Sequence, residues 1–146
     1  MNDKIVITKN VKETQEFAKE FATGLKGGDV LLLYGNLGAG KTTFVQGLAK
    51  GLGIEKRLIS PTFTIVRNYE LGIRNNAKDF YHVDLYRLET DEAVKSSGVL
   101  ELLLDKHAIV AIEWPERMRS LLPKNAWHIK FEVIDEDERK IVIDEY

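Results

Sequence analysis

The chain has 146 residues, with 21 Lys or Arg against 23 Asp or Glu, so its formal net charge is −2. That balance excludes a bulk electrostatic pull toward nucleic acid or anionic lipid, and the absence of cysteine excludes disulfides and thiolate metal sites. Apolar runs such as VLLLY fall far below the ~20 residues of a membrane span, and MNDKIVITKN lacks the apolar centre of a signal peptide. The expectation is one soluble, cytoplasmic domain over residues 1–146, large enough to hide roughly two-thirds of its unfolded surface.

KIVIT reads as a short strand. In NVKETQEFAKEFATGL, Val11, Phe17, Phe21 and Leu25 fall near helical spacing, with Thr8 or Asn10 as cap and Gly24 and Gly27-Gly28 as terminators. DVLLLY is nearly all apolar, as suits a strand buried on both faces of a parallel sheet. A glycine-rich loop follows, and KTTFVQGLAKGLG then reads as a helix with Phe44, Val45, Leu48 and Leu52 on its apolar side. ISPTFTIVRNYEL is a loop entering a strand, and NNAKDFYHVDLYRL is a second strand, with the mainly polar five-residue stretch GIRNN between them as a loose hairpin turn. TDEAVKSSGVLELLLDKH carries two short helical pieces capped by Thr90, AIVAIEW is a buried-type strand, and PERMRSLL opens a helix on proline. AWHIKFEVI and RKIVIDEY alternate and form a terminal hairpin around DEDE, a solvated turn. Strands alternating with helices predict an α/β domain with a mainly parallel central sheet and antiparallel hairpin additions.

The segment GNLGAGKT matches G-x-x-x-x-G-K-[ST] at Gly35, Gly40, Lys41 and Thr42. By average residue usage the match arises by chance in roughly one chain of this length in two hundred. Its setting, between a buried strand and the start of a helix, is the one the motif requires, and makes the expected fold a three-layer P-loop NTPase. Glycines let the backbone curl with its N–H groups inward, forming a nest for phosphate at the positive end of the helix dipole. Leu37, Gly38, Ala39, Gly40, Lys41, Thr42 and Thr43 are the candidate nucleotide-binding residues, Lys41 reaching the β- and γ-phosphates and the Thr42 hydroxyl ligating Mg²⁺.

A P-loop needs a carboxylate for its metal, usually at the end of a buried strand. Glu113, closing AIVAIE, and Asp84, in FYHVDLY, are the candidates. Glu113 also fits an exposed strand-end acid, and Asp84 an ion pair with Arg87. Side by side at Mg·ATP they would divide the work, one completing the metal shell and the other orienting the attacking water. Ser60, Pro61 and Thr62 in SPTFT stand where P-loop hydrolases keep a phosphate-sensing switch, although a plain turn into a strand fits equally. His82, His107 and His128 have no zinc-ligand spacing. His82 shares a face with Asp84 and fits either tuning that acid or a satisfied strand histidine. Trp114 fits packing or stacking. Guanine-reading N/T-K-x-D and D-x-x-G elements are missing from suitable places, which favours ATP.

GNLGAGKTTF, SPTFT, HVDLYRL and IEWPERM, in this order and at these separations, resemble the bacterial TsaE (YjeE) family of ATPases in tRNA threonylcarbamoyladenosine formation. The resemblance spans nearly the whole chain. It implies a single-domain Mg²⁺-dependent ATPase working with the threonylcarbamoyl transferase TsaD and its partner TsaB. Hydrolysis would support turnover of chemistry done by those partners beside the anticodon, with tRNA reached indirectly. By position it implies that Thr42 and Glu113 bind Mg²⁺, that Asp84 is needed for hydrolysis, that Ser60 to Thr62 act as the switch, and that Thr14, Trp114 and Arg139 lie near the nucleotide. Asn36 departs from the family's usual aspartate. The rival readings are a small-molecule kinase and a nucleotide-gated interaction module.

Overall fold

A computed structural model describes residues 4–145. In chain order the elements are β1 (Lys4–Thr8), α1 (Val11–Ala22), β2 (Val30–Tyr34), α2 (Lys41–Gly51), β3 (Val66–Arg74), β4 (Ala77–Asp84), α3 (Asp91–Ser96), α4 (Val99–Leu102), β5 (Ala108–Glu113), a 3-10 helix (Pro115–Leu121), β6 (Trp127–Val133) and β7 (Arg139–Glu145). The strands form one sheet in the order β1-β7-β6-β2-β5-β4-β3. Its central four, β6-β2-β5-β4, run parallel, and antiparallel pairings add β7 and β1 at one side and β3 at the other. This is the parallel core with hairpin additions expected from the residue pattern. No helix among the described residues is long and apolar enough to cross a membrane.

β2 explains its own run of leucines. It pairs in parallel with β5 on one side and β6 on the other, and both its faces are covered. Leu31 and Leu33 pack under α1 and α2, while Val30 and Leu32 pack under α3, α4 and the 3-10 helix. The sheet is thus the middle of three layers, with a core on each side. On the α1/α2 side the rings of Phe17, Phe21 and Phe44 lie 6.1–6.2 Å apart, and Trp127 meets Phe21 edge-on at 5.1 Å. α1 presses directly on Gly47 and Gly51 of α2. A Cβ at either would fall inside contact distance of the Gln15 or Lys19 carbonyl oxygen, so side chains there would drive the helices apart.

Of the two candidate caps for α1, Asn10 is the one used. Its Oδ1 accepts from the Glu13 N–H at 2.8 Å, and Glu13 Oε1 accepts in return from the Lys9 N–H at 2.9 Å. Thr8 instead bonds the Thr14 hydroxyl at 2.7 Å. Thr90 caps α3 as expected, accepting from Ala93 N–H at 3.0 Å.

Three expectations need correction. The β3–β4 connection is not a five-residue turn: β3 runs to Arg74, and Asn75 and Asn76 alone make the turn, both with positive φ (49° and 64°). Two left-handed central residues match the twist of the flanking strands, and asparagine tolerates that conformation best among residues with a Cβ. The turn is tied down from afar, since Asn75 Nδ2 donates to the carbonyls of Thr23 and Leu25 at the end of α1. β4 stops at Asp84 rather than continuing through the YRL residues, because Asp84 Oδ1 accepts from the Tyr86 N–H at 2.9 Å and turns the chain. The segment from Pro115 is a 3-10 helix, broken at Arg119 (φ 52°, ψ −122°), whose guanidinium is held by the Glu89 carbonyl and Asp91.

Candidate functional site

The parallel strands β2, β4 and β5 end together at one edge of the sheet, where ligands of open α/β sheets gather. Leu33, Glu113 and Asp84 stand in register across these strands, so the two acids come side by side next to the loop leaving β2. That loop rises to Gly38 (φ 79°) and Gly40 (φ 104°), both in the left-handed region. Gly40 is also the N-cap of α2 and supplies no side-chain acceptor, nor is there an acid in the helix's first turn. The positive end of α2 is therefore left open toward a cavity of about 310 Å³.

Lys41 is the most informative residue in that cavity. It is 4 % exposed, and its ammonium has no hydrogen-bond partner among the described residues. Nζ rests 3.9 Å from the centre of the Trp114 ring, and Trp114 holds its place in a left-handed conformation (φ 59°, ψ 50°). Burial pulls the Lys41 pKa below its usual 10.5, against the opposing pull of Glu113, then Glu116 and Asp84. A buried cation without a hydrogen bond is costly, and an anion in the cavity would remove the cost.

The acids are buried too, Glu113 at 4 % and Asp84 at 6 % exposure. Glu113 Oε2 accepts from His82 Nε2 at 2.6 Å, and the Thr42 hydroxyl donates toward the same oxygen at 3.5 Å. Asp84 Oδ2 accepts from the Thr62 hydroxyl at 3.1 Å, and Thr62 in turn meets Ser60 Oγ at 2.9 Å. The SPTFT loop is thereby linked by side chains to Asp84. Arg87, offered as an ion partner for Asp84, lies instead over the Phe63 ring. His82 serves Glu113 and not Asp84.

The cavity is lined by Leu37, Gly38, Gly40, Lys41, Thr42, Thr43, Ser60, Thr62, Asp84 and Glu113, so most of the residues singled out in the sequence converge. Ala39 and Pro61 do not line it. Ala39 is buried in the α1/α2 core, and Pro61 shapes the loop through its carbonyl, which accepts from the N–H groups of Thr64 and Ile65. Leu37 is 73 % exposed at the rim. Thr14, Trp114 and Arg139 do line the cavity, and so do Val11, Tyr86 and Asp137, which the sequence reading did not place at the site. Arg139 donates to the Gly38 carbonyl at 3.2 Å while its other nitrogen is held by the carbonyls of Asp135, Glu136 and Glu138. It fastens the glycine loop to the β6–β7 turn.

Thr42, Asp84 and Glu113 are hard oxygen donors with room beside them. A Mg²⁺ shell of one hydroxyl, one carboxylate, phosphate oxygens and water fits that set. No cluster of three or more His, Cys, Asp or Glu suited to a metal occurs among the described residues.

The pattern of the family described as threonylcarbamoyl adenosine biosynthesis protein TsaE matches residues 8–141. The tRNA threonylcarbamoyladenosine biosynthesis protein TsaE of Bacillus subtilis is 39% identical over 138 residues, 92% of this chain and 80% of that protein. The protein of the same name from Treponema pallidum is 34% identical, over 94% of this chain and 97% of its own length. Among solved structures, the crystal structure of B. subtilis YdiB superposes with a TM-score of 0.79 at 34% identity, covering 99% of this chain and 86% of that one.

Proposed function

The chain belongs to the TsaE family, and from that premise we propose that it is an Mg²⁺-dependent ATPase subunit in the formation of threonylcarbamoyladenosine in tRNA. The observation that carries the reading is the Lys41 ammonium, buried with no hydrogen bond among the described residues at the mouth of a left-handed glycine loop and in one cavity with two strand-end carboxylates. ATP supplies what this site lacks. Its β- and γ-phosphates would be taken by the loop N–H groups, the open end of α2 and Lys41, whose ammonium would exchange the Trp114 face for phosphate oxygen.

Thr42 and Glu113 would hold Mg²⁺, which when bound would neutralise charge on the phosphate oxygens. Asp84, flanked by the Thr62 hydroxyl and the Tyr86 N–H, orients the attacking water, and its link through Thr62 to Ser60 lets the SPTFT loop respond to the γ-phosphate. TsaD and TsaB are the proposed partners and tRNA is reached through them; the net charge of −2 favours no direct tRNA contact by this subunit. The deciding experiment is phosphate release from ATP with and without the two partners. The expected result is release that Lys41→Ala abolishes. Release unchanged by Lys41→Ala refutes the site. Phosphate recovered on an added nucleoside or metabolite instead of in water indicates a kinase, and no release even beside the partners indicates a nucleotide-gated interaction module.

A further inference from the structure

We infer that His82 is a positioning residue that holds the Glu113 carboxylate over Thr42 and away from Lys41. The inference rests on the nucleotide-site reading and goes beyond it, because it assigns work to a residue that touches neither phosphate nor metal.

His82 is 0 % exposed. It lies in β4 opposite Ala111 of β5, two residues below Glu113 on the same face, and from there its ring reaches up to the acid. A carboxylate oxygen accepts, so His82 Nε2 carries the proton and donates it across 2.6 Å, a short charge-assisted bond. The other nitrogen, Nδ1, is buried with no partner among the described residues. An apolar side chain would fill this space without an unmet polar atom. The ring is therefore not a step in a longer relay, and its polar function is the single bond to Glu113.

That bond has a competitor close by. Glu113 and Lys41 line the same cavity, and the Lys41 ammonium has no hydrogen bond among the described residues. A buried, untethered Glu113 would swing to Lys41, and the resulting ion pair would occupy both the cation meant for phosphate and the acid meant for Mg²⁺. The His82 tether prevents this by fixing Oε2 beside the Thr42 hydroxyl. Residues that orient a metal ligand through such a bond commonly change metal affinity by about 10- to 100-fold when removed.

The test compares the full-length protein with His82→Leu, His82→Gln and the double variant His82→Leu/Glu113→Gln. ATP affinity is measured in EDTA by calorimetry, and Mn²⁺ affinity by electron paramagnetic resonance with a non-hydrolysable ATP analogue present. His82→Leu is expected to weaken Mn²⁺ binding about tenfold or more and to weaken metal-free ATP binding as Glu113 captures Lys41. A glutamine amide in place of the Glu113 carboxylate cannot form that ion pair, so the double variant recovers the metal-free ATP affinity. His82→Gln, whose amide nitrogen reaches about as far as Nε2, stays close to the parent in both measurements. A double variant as weak for metal-free ATP as His82→Leu overturns the inference in favour of a general structural role, and so does a His82→Leu protein indistinguishable from the parent. Should His82→Leu not fold, His82→Gln against His82→Asn decides: only glutamine reaches the acid, and equal behaviour overturns the proposal. A parent protein that binds no ATP refutes the nucleotide-site reading itself, which separates the two failures.

Discussion

Replacing Lys41 with methionine should make the empty protein more stable and the nucleotide-bound protein less so. The methionine side chain keeps most of the length and the helix propensity of lysine and removes the charge. Lys41 is 4 % exposed, and its charge has no hydrogen bond among the described residues. A buried, unsatisfied polar group costs about 1–3 kcal/mol, more when charged, and the Trp114 ring at 3.9 Å returns on the order of 1–2 kcal/mol. The net gain from Lys41→Met is then on the order of 1 kcal/mol, the extra cost of a charged group tipping the balance, which raises the melting temperature by roughly 2–4 °C for a domain of this size. With Mg²⁺ and a non-hydrolysable ATP analogue at about 100 times its dissociation constant, the parent gains about 2.7 kcal/mol and the variant gains little, so the order of stability reverses. The pH dependence follows the same logic. Burial lowers the Lys41 pKa, so on approach to pH 10.5 the native state has released a proton that the unfolded chain still binds. Parent stability therefore carries a component that rises with pH in the window below 10.5, and Lys41→Met lacks it. Melting curves with and without the nucleotide analogue, repeated at several pH values, check all of this. A methionine variant that melts below the empty parent and keeps the full nucleotide-induced shift refutes the reasoning.

Other substitutions separate binding, hydrolysis and packing. Asp84→Asn keeps the acceptor for the Tyr86 N–H but loses the carboxylate. Nucleotide affinity should stay within about twofold while phosphate release falls by about 10²-fold or more, and an equal loss in both would move Asp84 from water orientation to binding. Gly47→Ala pushes a methyl group against the Gln15 carbonyl and Ala18. It should cost about 1–3 kcal/mol in chemical denaturation without abolishing nucleotide binding. Asn10→Ala removes the α1 cap and should cost about 1 kcal/mol, and hydrolysis measured well below the transition should not change.

The strand–glycine loop–helix unit was legible in the residues because everything it needs is local: an apolar run, glycines able to take positive φ, and a lysine and threonine opening the helix. Glu113 was legible for a related reason, since a lone acid closing an apolar run marks where a buried strand reaches the sheet edge, whereas Asp84 was read inside a longer strand and only the structure ends that strand on it. Which acid His82 serves was not legible. Alternation puts His82 and Asp84 on one face, yet the bond goes across to Glu113 because the β4–β5 register sets His82 opposite Ala111. Arg139 holds Gly38 from 101 positions away, and Asn75 ties its two-residue turn to an α1 terminus 50 positions earlier. Alternation and helical spacing report how a segment faces its own neighbours in the chain. Strand order, register and the partners of long polar side chains are decided only when separate segments bury one another, so this chain's sequence determined its glycine loop and its candidate acids, and its tertiary structure decided what holds each of them in place.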